Sequence, residues 1–352
     1  MGLCGKNCDN CIFKEKYCGG CSLCEASLCS ENCNRCCALC AKRPESAQLI
    51  KKVINSNIKL KSNNSIELPV HMPILPDRLR EAPRYECMPV IAIHGGNMFS
   101  SNGEKISKLY SSRGYAAALN LDERTEAILE FYVKDRTLEG FYDNRKNIYQ
   151  ELKNMSLKAV IAPNFSVYED APRMDHIYNI NRSKAVFNEL IDNGFIAIPD
   201  VSWYNKTDLD IWCNEINKSS IKTIAFSFQV VDIQLKASTI WKAYLLGFKY
   251  MCRNIDPDVN IIIAGMTSAH RIEEAFRAAN GHSLHILNQS AFIQSRRGML
   301  SEKRIRETNM DITMDDIFKK NIDYFNARYL DLNNKYVNQG GKRCLKLGEA
   351  IL

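Results

Sequence analysis

The residues with the plainest capacity for chemistry stand at the start of the chain. Eleven of its 15 cysteines fall between Cys4 and Cys40. Cys4, Cys8 and Cys11 form C-x3-C-x2-C, and Cys18, Cys21, Cys24 and Cys29 form C-x2-C-x2-C-x4-C. Cys29, Cys33 and Cys36 repeat the first pattern, and Cys37 with Cys40 closes a last C-x2-C. A two-residue gap lets two thiolates reach one metal or cluster from a single tight turn, so metal binding is expected. No histidine precedes His71, so zinc here would be held by thiolate alone. The continuous C-x2-C-x2-C run is closer to ferredoxin-type ligation. One or two 4Fe–4S clusters are therefore the favoured cofactor, with zinc the alternative.

Composition frames what those thiols are attached to. With 352 residues, 45% hydrophobic and 25% charged, the chain reads as a globular protein. No run of about eighteen apolar residues occurs, which excludes a helical membrane span. The chain does not open on a basic stretch followed by an apolar one, so no signal peptide and a cytoplasmic location are expected. Clustered cysteines in that reducing compartment are metal ligands more often than disulfides. A net charge of +7 permits a polyanionic partner such as RNA or DNA without requiring one.

Three zones organise the chain. Residues 1–45 are the cysteine-rich module, 46–88 read as a polar, proline-dotted linker, and 89–352 read as the barrel domain. In this last zone short apolar runs recur: "VIAIHGG" (90–96), "YAAALNLD" (115–122), "KAVIAPNFS" (158–166), "FIAIPDVSW" (195–203), "KTIAFSFQV" (222–230), "NIIIAGM" (260–266) and "SLHILNQS" (283–290). Near-continuous hydrophobicity suits strands buried on both faces of a parallel sheet. Between the runs, Trp241, Tyr244, Leu245, Phe248, Met251 and Cys252 keep helical spacing, as do Ile272, Ala275, Phe276 and Ala279, then Phe318, Ile322, Phe325 and Tyr329. Seven strand candidates alternating with helices predict an α/β fold, a (β/α) TIM-like barrel whose eighth strand is unassigned. No G-x-G-x-x-G follows the first run, which counts against an open dinucleotide-binding sheet.

Such barrels work at the carboxyl ends of their strands. Those ends carry His94, Asp122, Asn164, Asp200, Ser227, Gln229, Gly265, Asn288 and Gln289. Asp122 and Asp200 are the candidate catalytic pair, two carboxylates able to divide acid, base or nucleophile roles; the competing reading makes each a helix N-cap. His94, Asn164, Ser227, Gln229, Gly265, Asn288 and Gln289 are candidate substrate ligands, since amides beside close-approaching backbone can read the edge of a flat heterocycle. Arg296, Arg297, Lys303, Arg304 and Arg306, against a single acid at Glu302, could take phosphates.

Two stretches resemble known families. "APNFSVYEDAPRMDHIYNINRSKAVFNELIDNGFIAIPDVSW" is similar to an uncharacterised domain of bacteria and phages with the pattern P-D-F-S-x-Y, N-x-x-R, I-P-x-x-S-W, over about 160–230, and departs from it at Asn164, where the family has Asp. "FSFQV", "IIIAGMTSAHRIEEAF" and "ILNQSAFIQSRRG" resemble the tRNA-guanine transglycosylase superfamily and its phage relatives that modify DNA. That resemblance implies that Gln229 and Gly265 bind a base, that Asn288 stands where the family's nucleophilic Asp attacks the sugar C1′, and that Arg296, Arg297 and Gly298 echo a basic turn. An amide cannot be that nucleophile, and the family's C-terminal zinc motif is missing. The N-terminal "CGKNCDNC…CGGCSLC" resembles another uncharacterised bacterial cysteine-rich domain. C-x3-C-x2-C is also the signature of radical S-adenosylmethionine enzymes, where it follows the first barrel strand; here both copies precede every strand candidate.

Three functions are compatible with these features. The leading one is a metal-cluster barrel enzyme acting on a nucleobase in RNA or DNA by transglycosylase-like base exchange or modification. The second is an iron–sulfur redox or radical S-adenosylmethionine enzyme on a small substrate. The third is a non-catalytic nucleic-acid-binding protein with structural zinc.

Overall fold

The computed structural model describes residues 58–80, 85–167, 173–229, 239–303, 305–307 and 312–347. The expected metal ligands, Cys4 to Cys40, lie outside the described residues. Eight parallel strands form one sheet: β1 (His71–Leu75), β2 (Val90–His94), β3 (Glu126–Glu130), β4 (Ala159–Ile161), β5 (Ala197–Ile198), β6 (Thr223–Ser227), β7 (Asn260–Ala264) and β8 (Leu284–Asn288). Their order is β5-β4-β3-β2-β1-β8-β7-β6. The two edges meet through a parallel bridge between Asp200, just past β5, and Ala225 of β6. Val201 N–H donates to Ala225 O at 2.9 Å and Ala225 N–H to Pro199 O at 2.8 Å across that seam. The result is the expected α/β barrel.

The helices alternate with the strands: α1 (Gly95–Met98), α2 (Lys108–Leu119), α3 (Asp135–Lys153), α4 (Arg173–Asp192), α5 (Lys206–Lys218), α6 (Thr239–Asn254), α7 (Ala269–Ala278), α8 (Ser290–Arg296) and α9 (Met314–Leu347). A small antiparallel hairpin, β9 (Met299–Leu300) with β10 (Ile305–Arg306), separates the last two.

Strand residues divide by parity, as the period of two requires. Met72, Ile74, Val90, Ala92, Ile128, Ala159, Ile161, Ile198, Ala225, Ile262, Ala264 and Leu287 pack as one cluster inside the barrel. Their neighbours Ile91, Ile93, Ala127, Leu129, Val160, Ala197, Ile224, Phe226, Ile261, Ile263, Leu284 and Ile286 belong to the larger core beneath the helices. Ile66 joins the inner cluster from the segment before β1. Asn63 holds that segment to the barrel, its amide nitrogen donating to Thr223 O at 2.9 Å and its oxygen accepting from Lys222 N–H at 2.8 Å.

Two expectations are corrected. The barrel begins at His71, inside the stretch 46–88 read as a linker, because "HMPIL" is a fully buried strand despite its proline. The run "YAAALNLD" belongs to α2, whose alanines favour a helix and which ends at Asn120 in the left-handed conformation. The strand in that place is the later "EAILE" of β3. Cys213 and Cys252 are core residues as expected; burial pushes the Cys213 thiol up to about 11 and holds that of Cys252 well above its ordinary value.

Candidate active site

Inward parity carried one step past the strands sets polar groups at the carboxyl end of the barrel. His94 follows Ala92, Glu130 follows Ile128, Asp200 follows Ile198 and Ser227 follows Ala225 in the inward register. Above them a cleft of about 590 Å³, solvent at its mouth included, is lined by Phe131, Tyr132, Val133, Asn164, Ser166, Val167, Val201, Ser202, Trp203, Ser227, Gln229 and Tyr244. Four aromatic rings meet five amide and hydroxyl side chains, and among the described residues no lining residue is Lys or Arg.

Local chemistry fixes these walls. The turn after β5 is locked by Trp212, whose indole N–H donates to Ser202 O at 2.8 Å. It then enters α5 through a reciprocal cap: Asn205 accepts from Asp208 N–H at 3.1 Å, and Asp208 accepts from Asn205 N–H at 3.3 Å. Such a cap contributes about 1 kcal/mol. Trp203 lies against Gly247 of α6, where a Cβ would stand only 2.5 Å from the indole, and packs at 5.1 Å on Tyr244. Gly265, at φ +82°, holds β7's exit against Gln229: a Cβ there would meet the Gln229 nitrogen at 2.5 Å. Gln229 N–H in turn donates to Ser227 Oγ at 3.2 Å.

Asp200 lies beneath this cleft, 1% exposed. Burial raises its carboxyl from the ordinary 3.8 to about 7; Tyr132 and Asn164 pull the other way, and nearby Glu130 adds to the rise. Neither carboxylate oxygen closes a hydrogen bond of good geometry, nor do the buried Tyr132 hydroxyl, Ser202 Oγ and Trp203 Nε1. Burial together with the Asp200 and Glu130 charges also holds the Tyr132 phenol well above its usual range. Beside the cleft, His94 Nδ1 pairs with Glu130 Oε1 at 2.5 Å, and Tyr132 N–H donates to Glu130 Oε2 at 2.5 Å. Burial opposes a charge on His94, but the hydrogen bond and charge of Glu130 outweigh it and raise the imidazole.

The structure thus gathers Asp200, Asn164, Ser227, Gln229 and Gly265 at one cleft, with His94 at its edge. Five expected residues are placed elsewhere. Asp122 sits at the amino end of β3, opposite the cleft, and is held by Arg124 at 2.8 and 3.0 Å; that pairing lowers its carboxyl to about 2. It has neither the position nor the proton affinity of a partner to Asp200. Asn288 has outward parity: its amide donates to Tyr329 of α9 at 3.1 Å and its oxygen accepts from Ser290 N–H at 3.1 Å. Gln289 precedes α8 and does not line the cleft. Arg296 and Arg297 are exposed at the end of α8, with Arg296 3.9 Å from Asp77 just beyond β1. Glu130, Tyr132 and Trp203 went unassigned in the sequence reading. A polar residue ending "EAILE" and the tryptophan of "IPDVSW" were the signals available for Glu130 and Trp203.

An eight-stranded parallel α/β barrel with a polar cleft at its strand ends is a fold shared by many unrelated chemistries, so the fold by itself assigns no reaction. The chain belongs to the DUF4417 family, a domain of unknown function, which matches residues 104–280. That span runs from the approach to α2 through α7 and so contains every residue lining the cleft. No curated protein matches the chain in sequence. Among the described residues no group of three or more His, Cys, Asp or Glu could hold a metal ion, and no helix is long and apolar enough to cross a membrane.

Proposed function

We propose that the protein is an enzyme acting on a nucleobase of RNA or DNA, with Asp200 as the proton-transferring carboxyl and its N-terminal cysteines holding one or two iron–sulfur clusters. The observation that carries this reading is the set of buried polar groups around the cleft that close no hydrogen bond of good geometry: Asp200, Tyr132, Ser202 and Trp203. Buried polar groups are nearly always paired, and several unpaired ones converging on one cleft are arranged for a ligand. Four aromatic walls suit a flat ring, and Asn164 and Gln229 suit its hydrogen-bonding edge. A carboxyl near 7 can give or take a proton at working pH. Phosphates would then be met outside the cleft, by the exposed Arg296 and Arg297.

Calorimetric titration of free guanine, adenine, cytosine and uracil tests this. One base should bind saturably, and Gln229→Ala should weaken it about tenfold, the loss of one hydrogen-bonded edge. No binding of any base at millimolar concentration overturns the reading. Labelled guanine incorporated into, or released from, a tRNA pool or single-stranded DNA should depend on Asp200, and Asp200→Asn should abolish it. A variant that binds nucleic acid and base as the wild type does, with no turnover in either, would make the protein a binding module. The C-x3-C-x2-C patterns favour one second reading, radical or redox chemistry at the same cleft; methionine and 5′-deoxyadenosine released from S-adenosylmethionine plus reductant would establish it.

A further inference from the structure

Resting on that reading, we infer that His94 is a second proton-transfer residue serving the cleft, that Glu130 is its positioning residue, and that Gly96 keeps it accessible. Three independent features of the fold meet here. The first is register: His94 and Glu130 are paired across β2 and β3 at the last step of the ladder, both with inward parity. Two side chains on directly opposed parallel strands are held side by side, so the pair is made by the sheet and not by a flexible loop.

The second feature is polarisation. Glu130 is 1% exposed, yet both of its oxygens are engaged, one by His94 Nδ1 and the other by Tyr132 N–H. A buried carboxylate accepting from Nδ1–H fixes the imidazole in the tautomer that leaves Nε2 bare, and stabilises the imidazolium once Nε2 takes a proton. Among the strands that flank β2, Glu130 is the only charged neighbour in contact, because β1 contributes only apolar residues after His71.

The third feature is access. A Cβ on Gly96 would stand 2.8 Å from His94 Nε2 and 3.6 Å from Val133, which lines the cleft. Gly96 is exposed and helical, with no positive φ, so nothing in the backbone demands glycine. What the missing side chain does is leave the one unpaired imidazole nitrogen open beside the cleft wall. In operation, Nε2 takes a proton from an O–H or N–H of the bound substrate and later returns it, while Asp200 handles the opposite proton. No bond other than those to hydrogen changes at His94.

The experiment reads the imidazole directly, and so does not depend on knowing the substrate. All six histidines are in the described residues, and His71, His176, His282 and His285 are buried, leaving His94 and the exposed His270 to react with diethyl pyrocarbonate. Nitrogen-detected NMR of the full chain should show His94 protonated at Nδ1 and titrating above 6.5; Glu130→Gln should bring that titration down by about one unit or more. Gly96→Ala should preserve the Nδ1 signal while slowing carbethoxylation of His94 about tenfold and leaving that of His270 unchanged. His94→Gln should retain base binding and lose turnover. A His94 that titrates identically in the Glu130→Gln variant, or reacts equally fast in Gly96→Ala, overturns the inference. Failure of every base to bind would remove the nucleobase reading alone, since the NMR and carbethoxylation results stand without it.

Discussion

Replacing Asp200 by Asn should stabilise the protein by an amount that grows as pH rises from about 4 to about 7. In the unfolded chain the carboxyl ionises near its ordinary 3.8, whereas in the fold it holds its proton until about 7. Between those values the folded state binds more protons than the unfolded one, so stability falls as pH rises through the window and the full loss is present above pH 7. A difference of about 3 units corresponds to roughly 4 kcal/mol, an upper value because water drawn toward the ionised carboxylate reduces it. Asparagine has the same shape and no charge, so it removes this dependence. Urea midpoints for both proteins at pH 4.5, 6 and 8 provide the assay. The gap between variant and wild type should be smallest at pH 4.5, about 1 kcal/mol, and widen to about 2–4 kcal/mol at pH 8. A wild type whose stability is level across this range, or an Asn variant less stable at pH 8, would refute the argument that burial dominates at Asp200. Loss of turnover in the more stable variant would mark a site that trades stability for function.

Gly265→Ala should destabilise by about 1–3 kcal/mol, because a side chain is strained at φ +82° and would collide with Gln229; the same variant should bind base more weakly in the titration above. Asp122→Asn should leave both turnover and melting temperature unchanged, since its partner Arg124 is solvent-exposed and the pair lies at the far end of the barrel from the cleft. Protein purified without oxygen should be brown, absorb broadly near about 400 nm and carry about four or eight irons per chain; a colourless protein with two or three zincs would assign the cysteines a structural role instead.

The strands that sequence reading found, such as "VIAIHGG" and "NIIIAGM", are those whose two faces are both covered, and there continuous hydrophobicity is a sufficient signal. "HMPIL" escaped because a histidine and a proline break the run. The proline is admissible since β1 pairs through it with Asn288 at the barrel mouth rather than in the ladder's middle. "YAAALNLD" misled because a row of alanines is as apolar as a strand and a better helix. At the site, Asp200, Gln229 and Gly265 are legible as residues that follow apolar runs, while the contact between the last two is not. Asn288 was not, for a physical reason: the ends of all strands look alike in sequence, and only the in-out alternation separates His94, Glu130 and Asp200 from an amide that faces a helix. Counting parity back from Leu287 in "LHILN" would have placed Asn288 outside.

The joint between β5 and β6 gives the barrel an uneven rim. β5 has only two residues in the ladder, and the ring is completed by one bridge whose member is Asp200 itself. Elsewhere the strands are bound by up to five paired positions, as β2 is to β3 and β6 to β7. The cheapest way for the barrel to part is therefore along the line that leads to its buried carboxyl. Amide protons of Val201 and Ala225 should be the first of the strand protons to exchange with deuterium, and a ligand that spans Asn164 and Gln229 would act as a clasp across that line. Admission of water to Asp200 and capture of a substrate would then be two settings of the same seam.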